Sequence, residues 1–471
     1  MPPTFAAHSM PSPTLCTIIA KNFLPQARRL TDSFSTHHLD GRVFLLLIDE
    51  IEGCFDPAQE RFTLVHAREL RIPDFEQMTF RYTILELSTA LRPFFFAYLF
   101  ETYPIQTLVY FDADTCLYHP LAKLQEILQT AQIVITPHLL SPLSEDGRLP
   151  NERTILSVGA YNLGFIALAR GEQSYRFLRW WQHHLLKDCV IDIPRSLFVD
   201  QRWIDLVPGI FNRVAILRDA GYNAAHWDIP YRRLHRIGDQ WRVNDVPLVS
   251  FHFSGLQPEN IEALSTHQNR YTLPDLPALQ PLFEHYRDAL FSNGYAAARH
   301  WRYTYSRFDN SVPIADDMRY IWRDHDGETR WPQPFNTQSD DSFFVWLNAP
   351  AYHVTQTQPL ITYLALEMYR RRPDWRDAFP DPLNFSRLMF VRHFVREMTQ
   401  QGILDPVFVM PMRESLELFL QTQPAMIGRR FYDLVRSFLR LLNLHRLVKR
   451  IMGQHLAEAI YIRLVSPTEI D

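Results

Sequence analysis

Segments with the pattern of buried strands alternate with helical segments from residue 15 to residue 168. The strand-like segments are 15–20, 41–49, 108–111, 131–138 and 161–168. The helical segments between them include 22–38 and 80–100, the second of which is interrupted at Pro93. This alternation is typical of a mostly parallel sheet with helices packed on it. The sequence therefore predicts an α/β domain.

The second half of the chain has a different sequence pattern. After about residue 285 the strand-like alternation fades, and residues 359–372 and 386–402 have apolar side chains at helical spacing. The second of these segments ends at Gly402, a residue type that commonly terminates helices. We therefore predict a sheet domain over residues 1–285 and a mainly helical region over residues 286–471.

Composition limits the classes of partner and compartment. The 471 residues include 46% hydrophobic and 21% charged residues, as in soluble globular proteins. A formal net charge of −4 gives no reason to expect nucleic acid as a partner. The four cysteines lack paired spacing, and neither a signal-peptide pattern nor a membrane-spanning apolar stretch is found. These features predict a cytoplasmic protein.

One segment near the C-terminus is strongly basic. Residues 427–451 contain seven arginines and lysines against one acid, Asp433, for a net charge of +6, and their apolar residues share one helical face. Such a helix can lie on an anionic membrane surface, which would make the protein peripheral on the inner membrane face. It can equally pack on its own domain with the arginines in solvent. The sequence leaves both interpretations open.

Two aspartates follow a short buried strand. Residues 108–111 lead directly into Asp112, Ala113 and Asp114. Carboxylates next to a buried strand are costly to desolvate unless a cation, an arginine or a helix N-terminus compensates them. Such a pair can hold a divalent ion and leave positions free for phosphate oxygens. The alternative is an exposed turn in which Asp112 caps the next segment.

Other polar residues and glycines lie beside predicted strands or between apolar residues. They are Asp49 at the end of the second strand, Asn162 and Gly164 in AYNLGFIAL, Asp200 and Gln201 in FVDQRWIDLVP, and His252 and Gly255 in PLVSFHFSG. Ligands of parallel sheets bind at the carboxyl ends of strands. Asp49, Asp112 and Asp114 fall at such ends.

The order D-x-D, N-x-G, D-Q and H-x-x-G resembles nucleotide-sugar glycosyltransferases of the GT-A fold. It is most similar to the retaining family 8 type and to related bacterial surface-glycan enzymes, over residues 15–260. The resemblance implies a Rossmann-like sheet. It also implies that Asp112, Asp114 and His252 bind Mn²⁺ or Mg²⁺, which bridges the donor diphosphate.

The resemblance also implies roles for the remaining motif residues. Asp200 and Gln201 would lie at the anomeric carbon as catalytic residues. The donor would be bound by Asp49, Arg92, Asp112, Asn162, Gly164 and Gly255. The chain departs from the family at one position, because its HFSGLQP turn has Gln257 where a lysine contacts phosphate. Arg92 or another cation would have to replace that lysine.

The implied reaction moves a sugar from a nucleotide-diphosphate donor to a glycan, lipid-linked or protein acceptor. Retention at the anomeric carbon is inferred from the resemblance. An inverting enzyme would need a carboxylate base, for which Asp200, Asp205 and Asp228 are candidates.

Two other functions compete with this interpretation. Haloacid-dehalogenase-like phosphatases also end a strand on D-x-D, but they place it near the first strand and follow it with a different residue pattern from Thr115 and Cys116. A non-catalytic protein of GT-A-like fold is the other alternative, and the replacement of the expected lysine by Gln257 favours it.

Overall fold

The chain folds into two compact units. The first ends at Ser306 and the second begins at Arg307. The computed structural model describes residues 12–229, 231–352 and 358–422. The basic segment 427–451 and its predicted membrane contact lie outside the described residues. The first unit also includes the helices over residues 280–292 and 295–298, which extend past the predicted boundary at residue 285. A separate role for residues 286–471 stays a prediction.

The strands belong to the first unit. They are β1 (Thr14–Ile19), β2 (Val43–Leu47), β3 (Thr63–His66), β4 (Thr107–Phe111), β5 (Thr115–Leu117), β6 (Ile133–Pro137), β7 (Tyr161–Ala169), β8 (Ile191–Asp192), β9 (Leu197–Phe198), β10 (Val214–Ile216), β11 (Ala224–Ala225), β12 (Leu234–Ile237), β13 (Gln240–Val243), β14 (Val246–Pro247) and β15 (Ser250–His252).

The helices lie in both units. Those of the first unit are α1 (Leu24–His37), α2 (Phe75–Arg81), α3 (Ile84–Ala90), α4 (Arg92–Thr102), α5 (Ala122–Ile127), α6 (Glu152–Val158), α7 (Glu172–Leu185), α8 (Gln201–Ile204), α9 (Val207–Ile210), α10 (Gln280–Ser292) and α11 (Tyr295–Ala298). Those of the second unit are α12 (Asp316–Asp324), α13 (Gly327–Arg330), α14 (Phe343–Asn348), α15 (Tyr363–Arg371), α16 (Pro373–Ala378), α17 (Arg387–Gln401) and α18 (Pro406–Thr422).

The central sheet has seven strands in the order β10-β6-β7-β4-β1-β2-β3. All neighbouring pairs are parallel except those of β7, which runs antiparallel to both β4 and β6. The predicted α/β class with a mostly parallel sheet is therefore confirmed. Because β7 is reversed, its first residues lie at the edge of the sheet where β4 ends.

A smaller sheet lies next to this edge. It contains β11, β15 and β5, and β15 pairs antiparallel with β5, so that His252 lies opposite Thr115. The short connection from β4 to β5 contains Asp112 and Asp114. The pairing therefore brings the end of β15 beside the two aspartates.

The core explains why these segments form strands and helices. Every residue of β1 and β2 is buried, as expected for central strands covered on both faces. Helix α1 buries Leu24, Ala27, Leu30 and Phe34 at helical spacing. The predicted helix over residues 80–100 is divided among α2, α3 and α4. Pro93 is in the first turn of α4, where its missing N–H costs nothing.

The described part of the second unit contains helices in both segments where the sequence predicts them. Helix α15 lies within residues 359–372, and α17 lies within residues 386–402. Gly402 follows α17 with a φ of 61°, a left-handed conformation that glycine adopts without strain. Within the described residues, none of the helices combines the length and apolarity needed to cross a bilayer.

Candidate active site

The backbone holds the turn that carries Asp112 and Asp114. Asp112 N donates to Gly164 O at 2.9 Å, and Thr115 N donates to Asp112 O at 3.0 Å. On the other side, Phe253 N donates to Asp114 O at 2.9 Å. The turn is thus tied to the start of β7 and to the end of β15.

His252 completes a cluster with the two aspartates. Its Nε2 lies 3.0 Å from Asp114 Oδ1 and 3.8 Å from Asp112 Oδ2. The potential ligand atoms of all three residues lie within 4.8 Å of one another. The His252 side chain is 5% exposed, whereas those of Asp112 and Asp114 are 33% and 24% exposed. The cluster is therefore anchored in the protein and open on its carboxylate side.

The charges of this cluster depend on one another. Burial alone would lower the pKa of His252, but the carboxylates of Asp114 and Asp112 raise it above its ordinary value. Burial would likewise raise the pKa of Asp114, and His252 holds it below its ordinary value. A cation bound between these groups would take the place of the imidazolium proton.

Gly164 makes room for the imidazole. A Cβ atom at this position would lie 2.4 Å from both Cε1 and Nδ1 of His252, which no packed structure tolerates. Gly164 N also donates to Asn162 Oδ1 at 3.0 Å. The N-x-G pattern lies inside β7, and its glycine packs directly against His252.

Arg92 joins the cluster to Asp200. Its Nη2 donates to Asp112 Oδ1 at 3.1 Å and to the Tyr110 hydroxyl at 3.1 Å, and its Nη1 donates to Asp200 Oδ2 at 2.6 Å. Burial and the charge of Asp112 raise the pKa of Asp200, and the Arg92 guanidinium opposes that shift. The guanidinium is buried and faces two carboxylates.

Gln201 and Asn162 are held in a second hydrogen-bonded group. Leu163 N donates to Gln201 Oε1 at 3.0 Å, and Gln201 Nε2 donates to Val158 O at 2.8 Å. Asn162 Nδ2 lies 3.5 Å from Gln201 Oε1. The D-Q and N-x-G motifs thus meet at the start of β7. Together with Arg92 and His252 they form one connected set around the two aspartates.

Asp49 and Gly255 lie outside this hydrogen-bonded set. Asp49 Oδ1 accepts from Lys21 N at 3.0 Å, and Lys21 Nζ lies 3.4 Å from Asp49 Oδ2. Both of these side chains are buried. Gly255 has a φ of 70° and, with Asp114, lines a cavity of about 340 Å³. The donor-binding roles of Asp49 and Gly255, like those of the other site residues, stay predictions.

Two histidines that the sequence does not single out, His138 and His226, lie with Trp227 beside His252. The Trp227 ring lies 5.5 Å from that of His252, 5.2 Å from that of His138 and 5.0 Å from that of His226. Burial lowers the pKa of His138 to about 4 and that of His226 to about 3, so both rings are neutral at pH 7. No motif marks these residues, because only the chain fold brings them together.

The chain has relatives of low identity. No protein-family model matches it. The uncharacterized protein YfnD of Bacillus subtilis (strain 168) is 22% identical over 244 residues, which cover 51% of this chain and 76% of YfnD. The uncharacterized protein YfnF of the same strain is 24% identical over 281 residues, which cover 57% of this chain and 89% of YfnF.

Solved structures of glycosyltransferases are among those similar to this chain. The galactosyltransferase LgtC, in complex with donor and acceptor sugar analogues, matches with a TM-score of 0.37 and 15% identity over 59% of this chain and 95% of LgtC. Mouse xyloside xylosyltransferase 1 matches with a TM-score of 0.33 and 14% identity over 51% of this chain and 97% of that protein.

Proposed function

We propose that this protein is a metal-dependent glycosyltransferase that takes its sugar from a nucleotide-diphosphate donor. The observation that carries the proposal is the cluster of Asp112, Asp114 and His252 at the end of β4, with ligand atoms within 4.8 Å of one another. This edge is where α/β sheets bind their ligands.

The side chains fit a hard divalent cation. Two carboxylates and one imidazole suit Mn²⁺ or Mg²⁺, and two side chains that are partly exposed leave coordination positions for a ligand. Asp112, Asp114 and His252 would hold the ion. When bound, it would stabilise the negative charge that develops on a leaving diphosphate.

Asp200 and Gln201, which neighbour the cluster, suit a role at the anomeric carbon of the donor sugar. As the bond from the anomeric carbon to phosphate breaks, the sugar gains positive charge. We place the Asp200 carboxylate and the Gln201 amide beside it, where they would stabilise that charge. Arg92 fixes Asp200 through its 2.6 Å hydrogen bond, and Leu163 N and Val158 O fix both ends of the Gln201 amide. Pre-oriented groups of this kind need no reorganisation during the reaction.

We further propose retention at the anomeric carbon, on the resemblance to family 8. The acceptor oxygen would form its bond on the face that the phosphate leaves. The acceptor proton would pass to the departing phosphate oxygen, so no separate base is needed.

The acceptor that we propose is a growing surface glycan, on a lipid carrier or on a protein. The basic segment 427–451 would bring the enzyme to an anionic membrane surface. This part of the proposal rests on the sequence.

Donor turnover tests the proposed function. The purified chain is incubated with UDP-, GDP- and dTDP-sugars, and with a CMP-sugar as a monophosphate comparison, in Mn²⁺, in Mg²⁺ and in chelator. We expect metal-dependent release of nucleoside diphosphate from one donor.

Two results would contradict the proposal. Absence of release from every donor, together with no thermal shift by any nucleotide, would indicate a non-catalytic protein. Phosphate release from simple phosphomonoesters in the same buffers would indicate a phosphatase.

A further inference from the structure

A cavity of about 340 Å³ opens beside Asp114. Its lining comes from four parts of the first unit: residues 22–26 after β1, the turn after β4, the turn after β15, and helices α10 and α11 with the residue that follows α11. The last part lies beyond the 15–260 stretch that resembles a known family. The cavity is therefore completed by residues that the motifs do not cover.

Two buried polar atoms of the lining have no hydrogen-bond partner among the described residues. They are Gln26 Oε1 and the Tyr286 hydroxyl, on side chains whose residues are 8% and 1% exposed. The Tyr286 ring is fixed by stacking on Phe253 at 3.7 Å, so its hydroxyl does not turn away. Buried polar groups without partners are costly, which points to a ligand that supplies them.

The cavity also presents one aromatic surface to solvent. Phe23, just before α1, lines it and is exposed. An exposed aromatic ring beside hydrogen-bonding groups suits a planar nitrogen heterocycle, which stacks on the ring and bonds through its edge.

Charge in the lining is divided between two side chains. Among the described residues of the lining, Asp114 is the acid and Arg299 is the base. Arg299 forms an ion pair with Glu259 and is 44% exposed. Because a guanidinium has five N–H donors, this pair leaves donors free for an anion.

Arg92 is a poorer replacement for the lysine that Gln257 displaces. Its guanidinium is buried against Asp112 and Asp200, and both of its terminal nitrogens already donate to carboxylates. Arg299 instead lies on the surface of the same cavity as Gly255.

We infer that Arg299 binds the diphosphate of a nucleoside diphosphate in this cavity, with the base against Phe23 and Gln26. The inference rests on the proposed function and assigns the missing cation to a helix outside the motif region. The diphosphate then lies between a cation held at Asp114 and the guanidinium of Arg299. Arg299 would orient it by charged hydrogen bonds, and a cation held at Asp114 would neutralise its charge from the other side.

Equilibrium binding of nucleotides to the full chain tests the inference. UDP, GDP and dTDP, and the corresponding nucleosides, are titrated by calorimetry in Mn²⁺ and in chelator. We expect Arg299→Gln to weaken binding of the preferred diphosphate by about ten-fold or more, in both buffers, and to leave nucleoside binding unchanged. Arg302→Gln, which removes an exposed arginine outside the lining, should leave both unchanged.

A second variant tests the role of the Arg299 guanidinium without removing that side chain. Glu259→Gln keeps Arg299 and removes the competing carboxylate, so the diphosphate should bind as tightly or more tightly. Weaker binding by Glu259→Gln would contradict the inference. Thermal unfolding of each variant shows that the fold is retained.

The possible failures are distinguishable. If the wild-type chain binds a diphosphate and Arg299→Gln binds it equally well, the inference is wrong and the proposed function stands. If the wild-type chain binds none of the nucleotides in either buffer, the proposed function is wrong as well.

Discussion

Arg92 Nη1 donates to Asp200 Oδ2 at 2.6 Å, and the two side chains are only 2% and 1% exposed. The same guanidinium donates to Asp112 Oδ1. One buried arginine therefore connects the start of α4 with the end of β4 and with the residue in front of α8. This connection fixes the distance between the metal-binding residues that we propose and the carboxylate that we place at the sugar.

Removing Arg92 should destabilise the first unit. Arg92→Leu leaves the buried Asp200 carboxylate without a counter-charge, and we expect a loss of about 3–5 kcal/mol in the free energy of unfolding. Urea denaturation followed by tryptophan fluorescence measures it. Arg61→Leu, at a side chain 69% exposed, should cost less than about 1 kcal/mol. A loss at Arg92 no larger than that at Arg61 would show that the buried pair is not ionised.

Asp114→Asn should remove metal-dependent donor hydrolysis, by about 100-fold or more, because a neutral amide is a weak ligand for a hard cation. The fold should persist, since the Asp114 side chain is partly exposed and keeps its shape. Released nucleotide and thermal unfolding are measured together. Asp245→Asn, on the exposed turn before β14, is the matched control. Wild-type hydrolysis by Asp114→Asn would refute the assignment of the metal site.

Gly164→Ala should weaken Mn²⁺ binding by about ten-fold or more. The new methyl group would lie 2.4 Å from the His252 ring and displace it from Asp114. Paramagnetic resonance of free Mn²⁺ gives the affinity. Gly209→Ala is the control, because nothing lies within 4 Å of a Cβ atom there. Equal Mn²⁺ affinity in the two variants would mean that His252 is not a ligand.

His38 should make stability depend on pH. Burial, assisted by His37, lowers its pKa to about 4, and its neutral Nε2 accepts from Leu121 N at 3.2 Å. In the unfolded chain the ordinary pKa is about 6.5, so the unfolded state binds more protons between these values. The free energy of unfolding should therefore fall as the pH is lowered from about 6.5 to about 4, by roughly 2–3 kcal/mol from this residue.

The variant His38→Gln should flatten that dependence, because glutamine does not titrate and its amide oxygen can accept from Leu121. Urea denaturation at several pH values between 7 and 4.5 gives the slope. His183→Gln, at an exposed position of α7, should keep the wild-type slope. An unchanged slope in His38→Gln would show that His38 is protonated in the folded state.

Deletion of residues 427–471 should reduce binding to vesicles that contain anionic lipid, because it removes the basic segment 427–451, whose net charge is +6. Vesicle co-sedimentation at low and high salt measures the effect, with neutral vesicles as the comparison. Binding that the deletion leaves unchanged would favour a helix that packs on its own domain.

The sequence predicts the α/β class and the central strands because continuous apolar runs leave few alternatives to a buried strand. β3 was missed, since it is a short edge strand with one fully buried residue. The association of Asp112, Asp114 and His252 was predicted only through the resemblance. Asn22 and Phe23 lie in the connection between β1 and α1, where the rule that ligands bind at strand ends would predict them.

The other cavity residues could not be predicted. Arg299 and Tyr286 come from a stretch that reads as ordinary helix, and only the packing of α10 and α11 brings them near Asp114. The sequence also does not predict the direction of β7, because an apolar strand has the same residue pattern whether it runs parallel or antiparallel to its neighbours. That direction decides that Gly164, and not the other end of the strand, meets His252.

Because β15 follows β5 by more than a hundred residues, the cluster is completed late during synthesis. Asp112 and Asp114 leave the ribosome early, next to the strand that supports them, whereas His252 emerges only after all seven strands of the central sheet have been made. A nascent chain that stops before β15 carries two carboxylates and no imidazole. Such a chain has only part of the ligand set, so full cation binding reports that the last strand of the first unit has docked.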